Sequence, residues 1–190
     1  MKDGRRTNTR DHVINLTIDK IRLNGYEKIS LRDIAKENNL SATALYRHFH
    51  NKDDLLNESL VHVSKDMYER YKSSLEMTDD SNTKDKLLLL GETILNQFVQ
   101  EPKLMDFLFF SKYACESHLT DKKTDFIFFD EYKKLIHQAK EQYQLETDEE
   151  TLFIELWSFI QGYAMLVMNK VTIYDRAIVE KAMNKFISDK

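Results

Sequence analysis

The sequence predicts an all-α protein, because four glycines and one proline in 190 residues leave little punctuation, apolar residues recur at helical spacing, and no segment alternates with the period of a β-strand. At 42% hydrophobic and 11% aromatic residues, the chain can fill a sizeable core without staples. The single cysteine, Cys115, excludes an internal disulfide and a multi-cysteine zinc site. With no charged-then-apolar leader at its start, a reducing, cytoplasmic setting is expected.

Each element has a local signature. Residues 1–8 are polar and basic without an apolar anchor and read as an arm. Thr9 suits an N-cap for a helix carrying Val13, Ile14, Thr17, Ile18 and Ile21, and Gly25 suits its left-handed C-cap. Ser30 caps a short helix with Leu31, Ile34 and Ala35 inward, which the pair Asn38-Asn39 stops. Ser41 caps a third helix with Leu45 and Phe49 inward. Asn51 ends that run, and Lys52-Asp53-Asp54 opens a fourth helix to about Leu75 with acids in its first turn. A polar connector over residues 78–83 precedes the apolar run from Leu87 to Val99. Pro102 stands where a helix begins, and the segment after it, Leu104 to Ala114, is aromatic. A second aromatic helix carries Phe126, Phe128, Phe129 and Tyr132. Thr147 with Glu150 reads as a capping box before the most apolar stretch, Leu152 to Val171. A final amphipathic helix holds Ile178, Ala182, Met183 and Phe186.

The net charge of −4 conceals two halves of opposite sign. Residues 1–52 hold eleven Lys and Arg against six Asp and Glu, a net of +5, which leaves −9 on the remainder. A basic head on an acidic body confines any nucleic-acid footprint to one end and divides the chain at 52 into a head, 1–52, and a body, 53–190. Within the head, residues 30–49 have the spacing of a helix-turn-helix, and hydrogen-bond donors gather on and after its second helix: Ser41, Thr43, Tyr46, Arg47, His48 and Lys52. A recognition helix entering the major groove N-terminus first would present the Ser41 region to phosphates.

The string SLRDIAKENNLSATALYRHFHNKDDLL, Ser30 to Leu56, resembles the DNA-binding signature of the TetR/AcrR family of bacterial transcriptional regulators, above all in Leu45-Tyr46-x-x-Phe49 and Asn51-Lys52-Asp53-Asp54-Leu55. The resemblance covers about residues 9–56. It implies an amino-terminal three-helix DNA-binding domain and a carboxy-terminal helical bundle for effector sensing and dimerisation. It further implies phosphate contacts from Tyr46, His48 and Lys52, a base-contacting place for Arg32, and major-groove positions for Ala42, Thr43, Ala44 and Arg47. Asn39 stands where relatives commonly have glycine, and Asn can take the left-handed conformation. Ala42 and Ala44 offer methyl groups only, so direct readout falls to Thr43, Arg47 and Arg32.

A symmetric dimer on a pseudo-palindromic operator is the usual answer to the small footprint of one helix-turn-helix. The helix around Leu152 to Met168 is apolar nearly all round, with Gly162 permitting close approach. The expected dimer residues are Trp157, Ile160, Ala164, Val167 and Met168 with Ile178, Ala182 and Phe186 of the last helix. Glu155 and Gln161 argue against a membrane span. Phe107, Phe110 and Tyr113, and likewise Phe126, Phe129 and Tyr132, recur every third residue, so each set lies near one helix face. Plain core is one reading of them. The other, favoured by the resemblance, is a small-molecule effector cavity with Trp157 and Gln161 among its walls. The family reading puts a homodimeric repressor, released by a largely apolar effector, ahead of a helical adaptor under control of a protein partner. No HExxH, GxGxxG or GxxxxGK[ST] pattern occurs, so neither an enzyme nor a cofactor is expected, and Cys115 with His118 lacks a second ligand pair for a metal.

Overall fold

The computed structural model describes residues 3–77, 82–114 and 127–187. Its elements are α1 (Asp3–Asn24), a 3-10 turn (Tyr26–Lys28), α2 (Leu31–Glu37), α3 (Ala42–Tyr46), α4 (Lys52–Glu76), α5 (Thr83–Gln100), α6 (Pro102–Phe110), α7 (Ile127–Tyr143), α8 (Glu149–Met168) and α9 (Arg176–Phe186). No strand occurs among the described residues. They form two compact units: one of the residues up to Ser64 with α6 and its continuation to Ala114, the other of Lys65–Gln100 with α7, α8 and α9.

In the first unit α1 buries Val13, Ile14, Thr17, Ile18 and Ile21, as its periodicity requires. The helix begins at Asp3, so Thr9 lies inside it and is not its N-cap. Gly25 ends α1 with its amide on the Ile21 carbonyl at 2.9 Å, at φ 87° and ψ 156°. That region is open essentially to glycine alone, but it is extended, not the expected left-handed helical conformation. α6 packs on α1 and the 3-10 turn. Pro102 stands at its start, and Phe107, fully buried, meets the Tyr26 ring at 5.4 Å. The boundary expected at 52 therefore differs from the grouping observed, because α6 buries its aromatic face within the head's unit.

In the second unit α8 packs against α5, α7 and α9 through Leu152, Leu156, Ile160, Tyr163 and Ala164. It is the one described helix long and apolar enough to cross a membrane. Gly91 of α5 is where α8 comes near, since a Cβ there would lie 3.5 Å from Ile160 Cδ1. The N-cap of α8 is Asp148, not Thr147: its carboxylate accepts from the Thr151 amide at 2.9 Å and the Thr151 hydroxyl at 2.7 Å. An ionised carboxylate is the stronger acceptor, and Asp148 has Thr151 at the three-residue offset a cap needs. Tyr163 holds the α8–α9 connection by accepting from the Asp175 amide at 2.8 Å. Arg176 ties α9 to α5 through Glu92 at 2.8 Å.

Candidate nucleic-acid interface

Two hydroxyl caps and one left-handed asparagine build the helix-turn-helix. Ser30 Oγ accepts from the Asp33 amide to start α2, whose inner face is Ile34 and Ala35. Asn38 closes α2 with its side-chain amide on the Ile34 carbonyl at 2.8 Å. Asn39 then turns the chain at φ 54°, as expected of the residue standing in for glycine. Ser41 Oγ accepts from the Ala44 amide at 3.1 Å, starting α3 and keeping its own proton to donate. α3 ends at Tyr46, earlier than the spacing predicts, but the His48 and Phe49 amides return to the Leu45 carbonyl and carry the turn on. Leu45 and Phe49 are 1% and 0% exposed and anchor this turn in the unit.

The opposite face is open. Ala42, Thr43, Tyr46 and Arg47 are all exposed, at helical spacing along one side, while Ala44 and His48 are half-buried. Tyr46 is 51% exposed despite its apolar ring, which leaves its hydroxyl free to reach a phosphate. Arg32 and Ser41 are exposed beside them.

Ion pairing sorts the head's cations. Arg10 pairs with Glu58 and lies 5.3 Å over the Phe49 ring. Lys20 pairs with Glu37 at 2.6 Å, and Arg22 with Asp19 and Glu101 at 2.7 and 2.8 Å. Lys52 is half-buried and donates to the Glu27 carbonyl at 2.9 Å, so it fastens α4 to the 3-10 turn. That bond uses one of the three donors of the ammonium, so Lys52 has a positioning role beside the phosphate contact expected of it. Lys28, Arg32, Lys36 and Arg47 are exposed with no partner among the described residues. Lys36 is a residue the sequence reading passed over. It follows Arg32 by one turn of α2, and both line an open groove of about 580 Å³ with Leu40 and Ala42. The i, i+4 spacing of two cations was the available signal.

Asp53, next to Lys52, accepts from the Tyr113 hydroxyl at 2.6 Å and from Lys112 at 3.3 Å. These bonds, Tyr113 foremost, hold its carboxyl below the ordinary carboxylate range.

Residues 15–59 match the model of the bacterial regulatory proteins of the tetR family. The match covers the helix-turn-helix and the start of α4, about a quarter of the chain, and identifies this segment as a TetR-type amino-terminal domain. Solved structures similar over nearly the whole chain include the fatty acid degradation regulator FadR of Bacillus halodurans, 17% identical, TM-score 0.68, covering 94% of each chain. A TetR family transcription regulator of Marinobacter aquaeolei VT8 is 16% identical with TM-score 0.70, covering 98% of this chain and 99% of that one. A protein of unknown function from Rhodococcus sp. RHA1 reaches TM-score 0.74 at 14% identity, covering 94% and 93%. At such identities the likeness concerns the fold. No curated protein matches the chain significantly in sequence. The matched domain accounts for the open face of α3, which is the face a helix-turn-helix turns to DNA.

Beyond the TetR-family domain, the structure separates residues that the sequence grouped. Phe107 and Tyr113 pack with Tyr26 in the first unit, at 5.4 and 6.2 Å, and Phe110 belongs to the same unit. Phe129, Tyr132 and Trp157 cluster in the second unit, and Gln161, half-buried, lies one turn beyond Trp157. The two aromatic sets therefore do not share one cavity within either unit. Phe126, Cys115 and His118 lie outside the described residues. Of the expected dimer residues, Ile160 and Ala164 are 2% and 0% exposed and are core of their own unit, since they face α8's neighbours. Trp157 turns to α7, while Val167, Met168, Ala182 and Phe186 are half-buried and Ile178 is 42% exposed. The open stripe of α8 is instead Ile154, Ser158, Gly162, Met165 and Leu166, and nothing lies within 4 Å of where a Gly162 Cβ would stand.

Proposed function

We propose that the protein is a homodimeric repressor that binds a pseudo-palindromic operator in the cytoplasm and is released by a small, largely apolar effector, without a cofactor. The observation that carries the DNA-binding part is the exposed row Ala42, Thr43, Tyr46 and Arg47 flanked by the unpaired cations Arg32 and Lys36. Arg47, Thr43 and Arg32 read base edges; Tyr46, Ser41, His48 and Lys36 hold phosphates; the Ala42 and Ala44 methyls suit thymine. Lys52 positions α4 and keeps two donors for a phosphate.

Dimerisation is supported by Ile154, Met165, Leu166 and Ile178, which stay between 42% and 53% exposed on α8 and α9. Gly162, in the middle of that stripe, would let a partner helix come close. An effector releases DNA only by favouring one conformation over another, and operator DNA must then weaken effector binding by the same factor.

The test is binding of the purified protein to a fragment carrying its own upstream region, against unrelated DNA, at several salt concentrations. Saturable, cognate-preferring binding with a steep salt slope and a two-half-site footprint is expected. Equal binding to both DNAs, unaffected by Arg47→Ala, would overturn the reading in favour of an adaptor that answers to a protein partner.

A further inference from the structure

Tyr132 of α7 is 1% exposed, and its hydroxyl has no hydrogen-bond partner among the described residues. A buried hydroxyl left unpaired costs free energy that phenylalanine would avoid, so its presence calls for a reason. The ring sits among apolar rings, with Phe153 at 5.4 Å and Trp157 at 5.7 Å between centroids. Phe129 touches Trp157 from α7 at 4.8 Å, and Phe153 stacks on it at 6.3 Å. Burial pushes the Tyr132 hydroxyl up. It therefore keeps its proton and can donate it, and its ring contacts among the described residues are with apolar rings.

Phe153 also walls an open groove of about 330 Å³ with Lys133 and Ile136 of α7 and Glu149 and Glu150 of α8. Ile136 follows Tyr132 by one turn on the same face of α7. Phe153, half-buried, both lines the groove and packs on the Tyr132 ring, so it is the side chain shared by groove and cluster. The single cation at the rim, Lys133, shares the groove with two acids.

We propose that this groove and the ring cluster form the effector site, and that the site selects a small apolar molecule with a neutral hydrogen-bond acceptor, such as a ketone or ester, which takes the Tyr132 hydroxyl. The proposal rests on the reading of the chain as an effector-controlled regulator and names the chemical class of that effector. A carboxylate would lie desolvated among apolar rings, and a plain hydrocarbon would leave the hydroxyl unpaired.

Trp157 is the chain's only tryptophan, so its emission reports on the cluster. Full-length protein is titrated with three molecules of one shape: cyclohexyl methyl ketone, isopropylcyclohexane and cyclohexanecarboxylate. Emission and thermal midpoint are read together. The ketone is expected to bind saturably, about fivefold or more tighter than the hydrocarbon, with the carboxylate weakest. Tyr132→Phe should bring the ketone to the hydrocarbon's level while leaving the free protein's midpoint unchanged or higher. A hydrocarbon or carboxylate that equals the ketone, no saturable response to any of the three, or a ketone preference that survives Tyr132→Phe would overturn the proposal. So would a lowered midpoint in that variant, which would show that the hydroxyl has a structural partner. These readouts need no DNA. Ketone binding that leaves operator affinity unchanged would uphold the site and remove the effector role instead.

Discussion

Replacing Leu166 by glutamate separates a partner-covered face from a core face. Leu166 is 46% exposed on α8, close in exposure to Ile154, Met165 and Ile178 at 53%, 42% and 42%. Fully burying a side chain of this size contributes roughly 1.5–3 kcal/mol, so covering the exposed half of Leu166 is worth about 1 kcal/mol. A twofold interface uses each residue twice, and each glutamate adds the penalty of a desolvated charge, several kcal/mol even after relaxation. A loss of at least about 4 kcal/mol follows, which weakens dimerisation by about three orders of magnitude. The isolated subunit should hardly notice, since surface substitutions stay within about 0.5 kcal/mol. Sedimentation velocity across a concentration series reads the first effect and denaturant unfolding of the dilute monomer the second. Ile160→Glu is the contrast: at 2% exposure it buries a charge inside the subunit and should unfold the unit. An unchanged dimer in Leu166→Glu, or a folded monomer in Ile160→Glu, would refute the assignment of faces.

Three further outcomes are expected. Arg47→Ala should weaken operator binding by about 1–3 kcal/mol per subunit with an unchanged thermal midpoint, whereas Lys52→Ala should lower the midpoint and also reduce the salt slope by about one. Full stability in Lys52→Ala would remove its positioning role, and an unchanged slope its phosphate contact. Ser41→Ala should cost about 1 kcal/mol through the lost cap, while Ser41→Asp keeps the cap and repels phosphate, giving a stable protein with poor DNA affinity; equal affinities in gel shift would count against it. Asp53 has a folded pKa below its unfolded value, so its contribution is present above about pH 4 and lost as pH falls through the folded value. Tyr113→Phe should therefore reduce stability at pH 6 more than at pH 3, and urea midpoints showing equal losses at both would contradict the role of that bond.

The local grammar of the chain was legible by itself. Ser30 and Ser41 as caps, Asn39 as the left-handed turn, Pro102 at a helix start and the inward pairs Ile34 with Ala35 and Leu45 with Phe49 depend on neighbours three or four residues away. The open face of α3 followed from the same periodicity. The spacing places the cap of α8 one residue early, at Thr147, because its neighbour Asp148 is an acceptor of the same kind and spacing alone does not separate adjacent caps.

Tertiary structure decided everything that depends on a distant partner. Lys52 and Arg47 are equal cations in the sequence, but only Lys52 finds the Glu27 carbonyl, twenty-five residues away, whereas Arg47 stands exposed with no partner among the described residues. Phe107 and Phe129 share one aromatic signature, yet one packs on Tyr26 and the other on Trp157. On a helix apolar nearly all round, composition gives no direction to the core; the neighbours α5, α7 and α9 chose Ile160 for the interior and left Leu166 outside. Helical spacing is a short-range property carried by the backbone, whereas which face is buried depends on what the rest of the chain brings against it.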